Sequence, residues 1–175
     1  MAARNADSRT QKLTTRSNLL IRARSRSLAK ARQTMDDPYN LQRFVDTQQH
    51  VFAGVIAELR QGSKRRHWMW FIFPQLKGLG RTAQSNFFGI SSQQEAAAYL
   101  QHPVLGPRLI ECAQLVNAIE GRSAEDIFGE IDAMKFRSSM TMFAHATQEN
   151  QIFTDALGKY YAGELDPLTL RYLRQ

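Results

Sequence analysis

The sequence predicts a mainly α protein, a compact single-domain bundle of about six to eight helices with a buried aromatic segment near residues 67–74. Two observations lead to this prediction. Apolar residues recur at spacings of three and four along most of the chain after residue 35, and residues typical of helix ends separate these segments. No run of alternating apolar and polar residues indicates a strand. With 175 residues, of which 43% are hydrophobic, the chain is long enough to bury one core.

The first 34 residues differ in composition from the rest of the chain. They carry nine Lys or Arg and one acid, Asp7, for a net charge of +8, whereas the remaining residues have a net charge of −1. We predict a disordered basic tail over 1–34 and a globular helical domain over 35–175. Three interpretations of the tail stay open: a translated leader before a true start at Met35, a nucleic-acid-binding arm, or an organellar transit peptide. Any affinity for nucleic acid then belongs to the tail.

Start and stop signals predict the helices in order. Asp36-Asp37-Pro38 is typical of a helix start, and the apolar spacing from Leu41 to Leu59 predicts one long amphipathic helix that Gly62 ends. A capping box at Ser92 to Glu95 opens the helix that follows the aromatic segment. Further signals of the same kind place the remaining helices, so that the later predicted spans are about 92–100, 107–119, 123–129, 132–146, 151–161 and 168–173.

The stretch KRRHWMWFIFPQL at residues 64–76 contains both tryptophans of the chain. Its apolar part is much shorter than the about 20 residues that cross a bilayer, so we expect it to be buried in protein and predict no membrane association. Strand and buried helix both stay open for it, and Pro74 ends it in either case. Large apolar side chains directly after three cations are the pattern of a pocket wall.

Charged, aromatic and polar residues of three segments form the pocket that we predict. The aromatic block contributes cations and tryptophans, the glycine-containing loop 77–81 lets its backbone approach a ligand, and the helix from Asp132 carries hydroxyls in its middle. Arginine and tryptophan together suit the recognition of phosphates and bases. The predicted ligand-binding residues are Lys64, Arg65, Arg66, Trp68, Trp70, Arg81, Lys135, Ser138 and Ser139.

His67 is the candidate catalytic acid or base if the domain carries out chemistry, because the unperturbed pKa of a histidine lies near neutrality. Structural alternatives stay open for each part of this pocket, and the loop 77–81 can be a structural turn, because GxG alone is common and the lysine-serine part of a P-loop is missing. His67 can be a hydrogen-bonded structural residue, and the three cations can form a solvated turn at a helix C-terminus. The two serines can serve close helix packing, with each hydroxyl bonded to the carbonyl one turn back.

Neither a metal nor a cofactor is predicted. The four histidines are widely spaced and none has a companion at the spacing of a metal site. The single cysteine, Cys112, excludes an internal disulfide, and its helical apolar surroundings are typical of a buried residue. The predicted partner is therefore a small anionic ligand, and the oligomeric state stays open.

Several longer motifs occur together and carry a family resemblance. The chain resembles the uncharacterised, mostly bacterial family called domain of unknown function 1810, which genome records often label calpastatin. The resemblance covers about residues 36–173 and implies a compact, largely helical cytoplasmic protein without an established activity. Fusions of family members to predicted ADP-ribose-related domains imply nucleotide or ADP-ribose chemistry. The motifs are DPYNLQRF at 37–44, KRRHWMWFIFPQLKGLG at 64–80, HPVLGPR at 102–108, DIFG at 126–129 and KFRSSMTMF at 135–143.

From these observations we expect the domain to bind a small phosphorylated or nucleotide/ADP-ribose-like ligand, and to process it if chemistry occurs. The alternative is a non-catalytic module that interacts with protein or nucleic acid. Whether the domain is an enzyme is left open by the sequence.

Overall fold

The structure is a computed structural model that describes residues 37–174. These residues contain helices and no strand, which confirms the predicted mainly α fold. None of the described helices is long and apolar enough to cross a bilayer. The helices are α1 (Gln42–Gln49), α2 (Phe52–Arg60), α3 (Met69–Ile72), α4 (Ala83–Phe87), α5 (Gln93–Gln101), α6 (Leu105–Asn117), α7 (Ala124–Phe128), α8 (Glu130–Ala146), α9 (Gln151–Tyr161) and α10 (Pro167–Leu173).

The first helix begins later than the sequence predicts. Asp37 and Pro38 belong to a turn, which the Asn40 amide closes by donating to the Asp37 carbonyl at 3.1 Å. The helix itself starts at Gln42. Asp36, like Met35 and the predicted tail 1–34, lies outside the described residues.

The predicted long helix is in fact two helices. It is interrupted at His50 and Val51, and the α2 ladder starts afresh from the Val51 carbonyl, which accepts the Val55 amide at 3.1 Å. The two halves have different partners, since α1 packs against α3 and α2 packs against α6. The interruption lets each half turn its apolar face toward its own neighbour. Gly62, with a φ of +64°, ends α2 as the sequence predicts.

Helix α8 forms the centre of the domain. It packs against α3, α5, α7, α9 and α10, and nine of its 17 residues are buried. The predicted buried aromatic segment lies against it, because Phe73 and Phe136 pack edge to face with ring centroids 4.8 Å apart. Trp68 and Phe128 extend this cluster at centroid distances of 6.3 and 6.2 Å from Phe73. Met69–Ile72 of this segment form α3, so the segment contains a buried helix and not a strand.

The chain forms a loop whose two ends, Leu76 and Ile90, lie side by side against this core. Leu76 and Ile90 form an isolated parallel bridge, in which the Lys77 amide donates to the Ile90 carbonyl at 2.8 Å. The Ile90 amide in turn donates to the Gln75 carbonyl at 2.9 Å. Residues 77–89, which we call the bridged loop, include the short helix α4 that the sequence analysis did not predict.

Arg43 of α1 anchors the end of the bridged loop. Its guanidinium donates to the carbonyls of Phe87 at 2.9 Å and Gly89 at 3.2 Å. The same group pairs with Glu95 of α5 at 2.7 Å, and both side chains are buried. Glu95 also accepts the Ser91 amide at 2.8 Å. A buried ion pair therefore ties the bridged loop to two helices.

Two helical glycines give a matched test of this packing. In Gly106→Ala the new methyl group would overlap the backbone carbonyl of Leu100, whereas Gly158 in α9 faces open space. We expect Gly106→Ala to lower the free energy of unfolding by about 1–3 kcal/mol, because backbone cannot move aside cheaply. Gly158→Ala should raise it by about 0.5–1 kcal/mol through helix propensity. Urea denaturation measures both, and equal effects of the two substitutions would contradict the close approach at Gly106.

Candidate functional site

The basic turn, residues 64–67 before α3, is organised around one buried carboxylate, Glu58 of α2. Its Oε2 atom accepts the backbone amides of Arg65 at 2.9 Å and Arg66 at 3.2 Å. The same oxygen accepts the indole N–H of Trp68 at 2.7 Å, while Oε1 pairs with the Arg66 guanidinium at 2.5 Å. The Glu58 side chain is only 8% exposed. The turn is therefore wrapped around an internal anion.

The ionisation of Glu58 follows from this geometry. Burial alone raises the pKa of the carboxyl, but the hydrogen bonds from Arg65, Arg66 and Trp68 outweigh it and bring the pKa from 4.5 to about 2. Glu58 is thus a carboxylate at neutral pH. Glu58 is not among the site residues predicted from the sequence, although its position three residues after Val55 places an acid on the apolar face of the helix.

Lys64 connects the basic turn to helix α8. Its Nζ atom lies 2.7 Å from Oδ2 of Asp132, and the Nζ atom of Lys135 lies 2.7 Å from Oδ1 of the same carboxylate. The two ammonium groups also lie over tryptophan rings, with Lys64 5.2 Å from the Trp68 centroid and Lys135 5.0 Å from that of Trp70. The structure thus brings the basic turn and the serine-bearing helix together.

Asp132 is not the first residue of its helix, where the sequence predicts that the helix starts and where an aspartate would act as the N-cap. Helix α8 starts two residues earlier, at Glu130, and Gly129 with a φ of +79° is its N-cap. Asp132 therefore lies inside the first turn and points its carboxylate at the two lysines. Burial raises the pKa of this carboxyl, and the hydrogen bonds from Lys135 and Lys64 more than reverse the effect, so that the pKa lies below its usual value.

A cleft of about 260 Å³, open to solvent, lies between α3, the bridged loop and α8. In this conformation it has room for about one water molecule. Two predicted residues, Trp70 and Lys135, line it, and the sequence analysis missed two polar ones, Gln75 and Ser85. The complete lining is Met69, Trp70, Phe73, Gln75, Leu76, Gly80, Ser85, Phe88 and Lys135.

The two polar residues that the sequence analysis missed differ in their hydrogen bonding. The Ser85 hydroxyl donates to the Thr82 carbonyl at 2.8 Å, as part of the N-terminal turn of α4. The Gln75 side chain, by contrast, makes no hydrogen bond with any described residue, and it is half-buried. No periodic pattern marks Gln75, since it follows Pro74 at the end of the aromatic segment.

The two predicted serines of α8 also differ. The Ser138 hydroxyl donates to the Met134 carbonyl at 3.1 Å, which is the helix-packing alternative considered for it above. Ser139 is fully buried, and its hydroxyl has no partner among the described residues. It lies one helical turn after Lys135 on the same face of α8.

The remaining predicted residues lie away from the cleft lining. Trp68 is buried in the core with its N–H on Glu58, and the Arg66 side chain, 56% exposed, crosses α2 at Gly54 to reach the same carboxylate. Arg65 and His67 are exposed on the basic turn. Arg81 is exposed in the bridged loop, directly after the lining residue Gly80.

Within residues 37–174, no three His, Cys, Asp or Glu side chains are grouped so that they could hold a metal ion. Cys112 is buried, and burial raises the pKa of its thiol to about 12. The described part of the chain therefore presents hydrogen-bonding groups and cations, rather than a thiolate or a metal cluster, as its candidate chemistry.

The charge on Glu58 should make the free energy of unfolding depend on pH in the acid range. A folded pKa of about 2 against 4.5 in the unfolded chain means that the carboxylate stabilises the fold above about pH 4.5, and that this contribution disappears as the pH falls toward 2. The contribution at pH 7 is about 3 kcal/mol. We expect Glu58→Gln to lower the free energy of unfolding at pH 7 and to flatten its fall in acid.

Urea denaturation at several pH values measures this effect. Glu111→Gln is the matched control, because Glu111 is exposed on α6, and we expect a change within about 0.5 kcal/mol. A Glu58→Gln variant with the stability and the acid profile of the unsubstituted protein would rule out Glu58 as the organising anion.

Comparison with known proteins places these features in a family. No curated protein matches the chain. It is similar to the conserved hypothetical protein Rv1873 from Mycobacterium tuberculosis, known from a crystal structure, with 55% sequence identity and a TM-score of 0.79 over 79% of this chain and 99% of that chain. The profile of the family described as "Protein of unknown function (DUF1810)" matches residues 38–173, which include every residue of the cleft. The chain therefore belongs to the DUF1810 family.

Proposed function

We propose that this domain binds a small phosphorylated or nucleotide-like ligand at the cleft between α3, the bridged loop and α8. The observation that carries the proposal is the hydroxyl of Ser139, which is buried without a partner one helical turn from Lys135. Leaving such a group unsatisfied costs about 1–3 kcal/mol, and native proteins rarely keep one without a reason. Ser139 lies behind the cleft lining, so a polar atom of the ligand reaches its hydroxyl only by entering past Lys135.

The charges around the cleft favour an anionic ligand. Lys64 and Lys135 share the single carboxylate of Asp132, so the three groups together keep one positive charge. The bridged loop adds Lys77 and Arg81, both exposed, and the sequence has no acid between residues 76 and 94. Phosphate groups are bound in proteins by such lysines and arginines.

The size of the cleft limits what enters it. Small-molecule sites usually enclose about 300–1,000 Å³, whereas this cleft, in the conformation described, has room for about one water molecule. Gly80 packs against the Ser85 side chain so closely that a methyl group on Gly80 would collide with it. Entry of a ligand therefore involves movement of the bridged loop, and only a small ligand, or one end of a larger ligand, fits.

Binding, rather than turnover, is the function that this arrangement supports. The described lining contains one ionisable side chain, that of Lys135, and His67 lies outside it. A catalytic acid or base must reach the reacting proton, directly or through one water. The catalytic role of His67 thus stays a prediction. So does the alternative of an interaction module, since its basic tail lies outside the described residues.

The two adjacent serines of α8 test the proposal. Ser139→Ala should leave the free energy of unfolding without ligand unchanged or higher, because it removes an unsatisfied hydroxyl. The same substitution should weaken ligand binding about 5- to 10-fold, which corresponds to one lost hydrogen bond of about 1 kcal/mol. Ser138→Ala is the matched control and should leave the affinity unchanged, because that hydroxyl already bonds to Met134.

Thermal-shift screening of the full chain against nucleotides, ADP-ribose and sugar phosphates finds the ligand. A compound at about 100 times its Kd should add roughly 2.7 kcal/mol of stability. Lys135→Gln should weaken binding of the same compound. A ligand that binds through the basic tail should instead keep its affinity in the Ser139 and Lys135 variants, and that affinity should fall steeply with salt. A ligand whose affinity ignores both substitutions would contradict a site at this cleft.

A further inference from the structure

The ligand class can be narrowed from the walls of the cleft. On the basis of the proposed function, we infer that a flat nucleobase-like ring with a hydrogen-bond donor and an acceptor on its edge enters the cleft, while the phosphate stays outside at the bridged loop. The ligand is then a nucleotide rather than a sugar phosphate. Three features support it: the mainly apolar side chains of the lining, the Gln75 amide without a hydrogen bond to a described residue, and the exposed cations of the bridged loop.

Most of the side chains that line the cleft are apolar, although Gln75, Ser85 and Lys135 add polar surface. Met69, Phe73, Leu76 and Phe88 line it, and each is less than one-tenth exposed. A sugar or a phosphate placed among these side chains would lose hydrogen bonds to water without replacing them, which is costly. An aromatic ring has apolar faces and confines its polar atoms to its edge, so it gains contact area against such walls with little loss.

Gln75 supplies the complementary polar edge. Its side chain lines the cleft and has no hydrogen bond with a described residue. A primary amide presents a donor and an acceptor side by side, and this pair matches the adjacent donor and acceptor on the edge of a nucleobase. Ser85, the other uncharged polar residue of the lining, already donates its hydroxyl to the Thr82 carbonyl. Gln75 is therefore the residue that forms hydrogen bonds with the edge of the ring.

The mouth of the cleft suits the phosphate. Gly80 belongs to the lining, and the next residue, Arg81, is exposed, as is Lys77 at the start of the same loop. Phosphate at this position stays hydrated on one side while it pairs with a cation, which avoids the cost of burying it. Lys135 is the one cation of the lining itself, and its ammonium group is paired with Asp132.

Isothermal titration calorimetry on the full chain tests the inference, with the four common nucleosides, nicotinamide riboside, their 5′-monophosphates and ribose 5-phosphate as probes. We expect at least one nucleoside to bind, its monophosphate to bind about tenfold tighter, and ribose 5-phosphate to bind at least tenfold more weakly than that monophosphate. Gln75→Ala should weaken the nucleoside and its monophosphate alike, by about 5- to 100-fold, as for other bidentate base contacts.

Two further variants separate the two ends of the ligand. Arg81→Gln should weaken the monophosphate and leave the nucleoside unchanged. Gln94→Ala, which removes an exposed amide of α5 outside the cleft, is the matched control and should change neither. Should Gln75→Ala fail to fold, as judged by circular dichroism, Gln75→Met replaces it, because it keeps the length and volume of the side chain.

The outcomes distinguish this inference from the proposed function. Ribose 5-phosphate that binds as tightly as every monophosphate, with an affinity unchanged by the Gln75 substitution but reduced by Ser139→Ala, would overturn the nucleobase and leave the phosphate site. Failure of all probes to bind would overturn both. A nucleoside that responds to Gln75 and not to Arg81 supports the inference as stated.

Discussion

The buried carboxylate of Glu58 is the constraint on which the rest of the candidate site depends. It receives two backbone amides, an indole N–H and a guanidinium within one turn of chain, and so determines the path from α2 into α3. That path turns Trp68 into the aromatic cluster and leaves Lys64 facing Asp132. An unpaired acid at this depth would be expensive, and each of the four donors offsets part of that cost. Gly54 belongs to the same arrangement, because only a residue without a side chain leaves room for the Arg66 guanidinium on α2.

Internal acids neutralise much of the positive charge that looks like a ligand site in the sequence. Arg66 is paired with Glu58, and Lys64 shares Asp132 with Lys135. These pairs are short and mostly shielded from water, so they act as parts of the scaffold. What remains for a ligand is the single positive charge shared by the Asp132 group, the exposed guanidinium of Arg65, and the exposed cations of the bridged loop. A dense basic run therefore need not be a binding surface, and its partners decide how much of its charge reaches solvent.

Unsatisfied polar groups give the more direct indication of a ligand. Among the buried side-chain atoms of the described residues, the Ser139 hydroxyl and the Oδ1 atom of Asn117 lack partners. The half-buried amide of Gln75 also has no hydrogen bond with a described residue. The Ser138 hydroxyl donates to a backbone carbonyl of α8 one turn back. The helix itself therefore does not prevent Ser139 from making such a bond. Gln75 lines the cleft, and Ser139 follows the lining residue Lys135 by one turn of α8.

Local chemistry allowed the sequence by itself to determine the fold class, most helices and the burial of the aromatic segment. The capping pair Ser123 and Asp126, and Asp166 before Pro167, act within four residues of chain, so their pattern is visible without a structure. Only tertiary structure decided the break at His50, the helix α4 and the partners of the cations. The contact between Lys64 and Asp132 joins residues 68 positions apart, and no periodicity records such a distance. Helical spacing reports which face of a segment is buried, whereas the packing of other elements decides what that face meets.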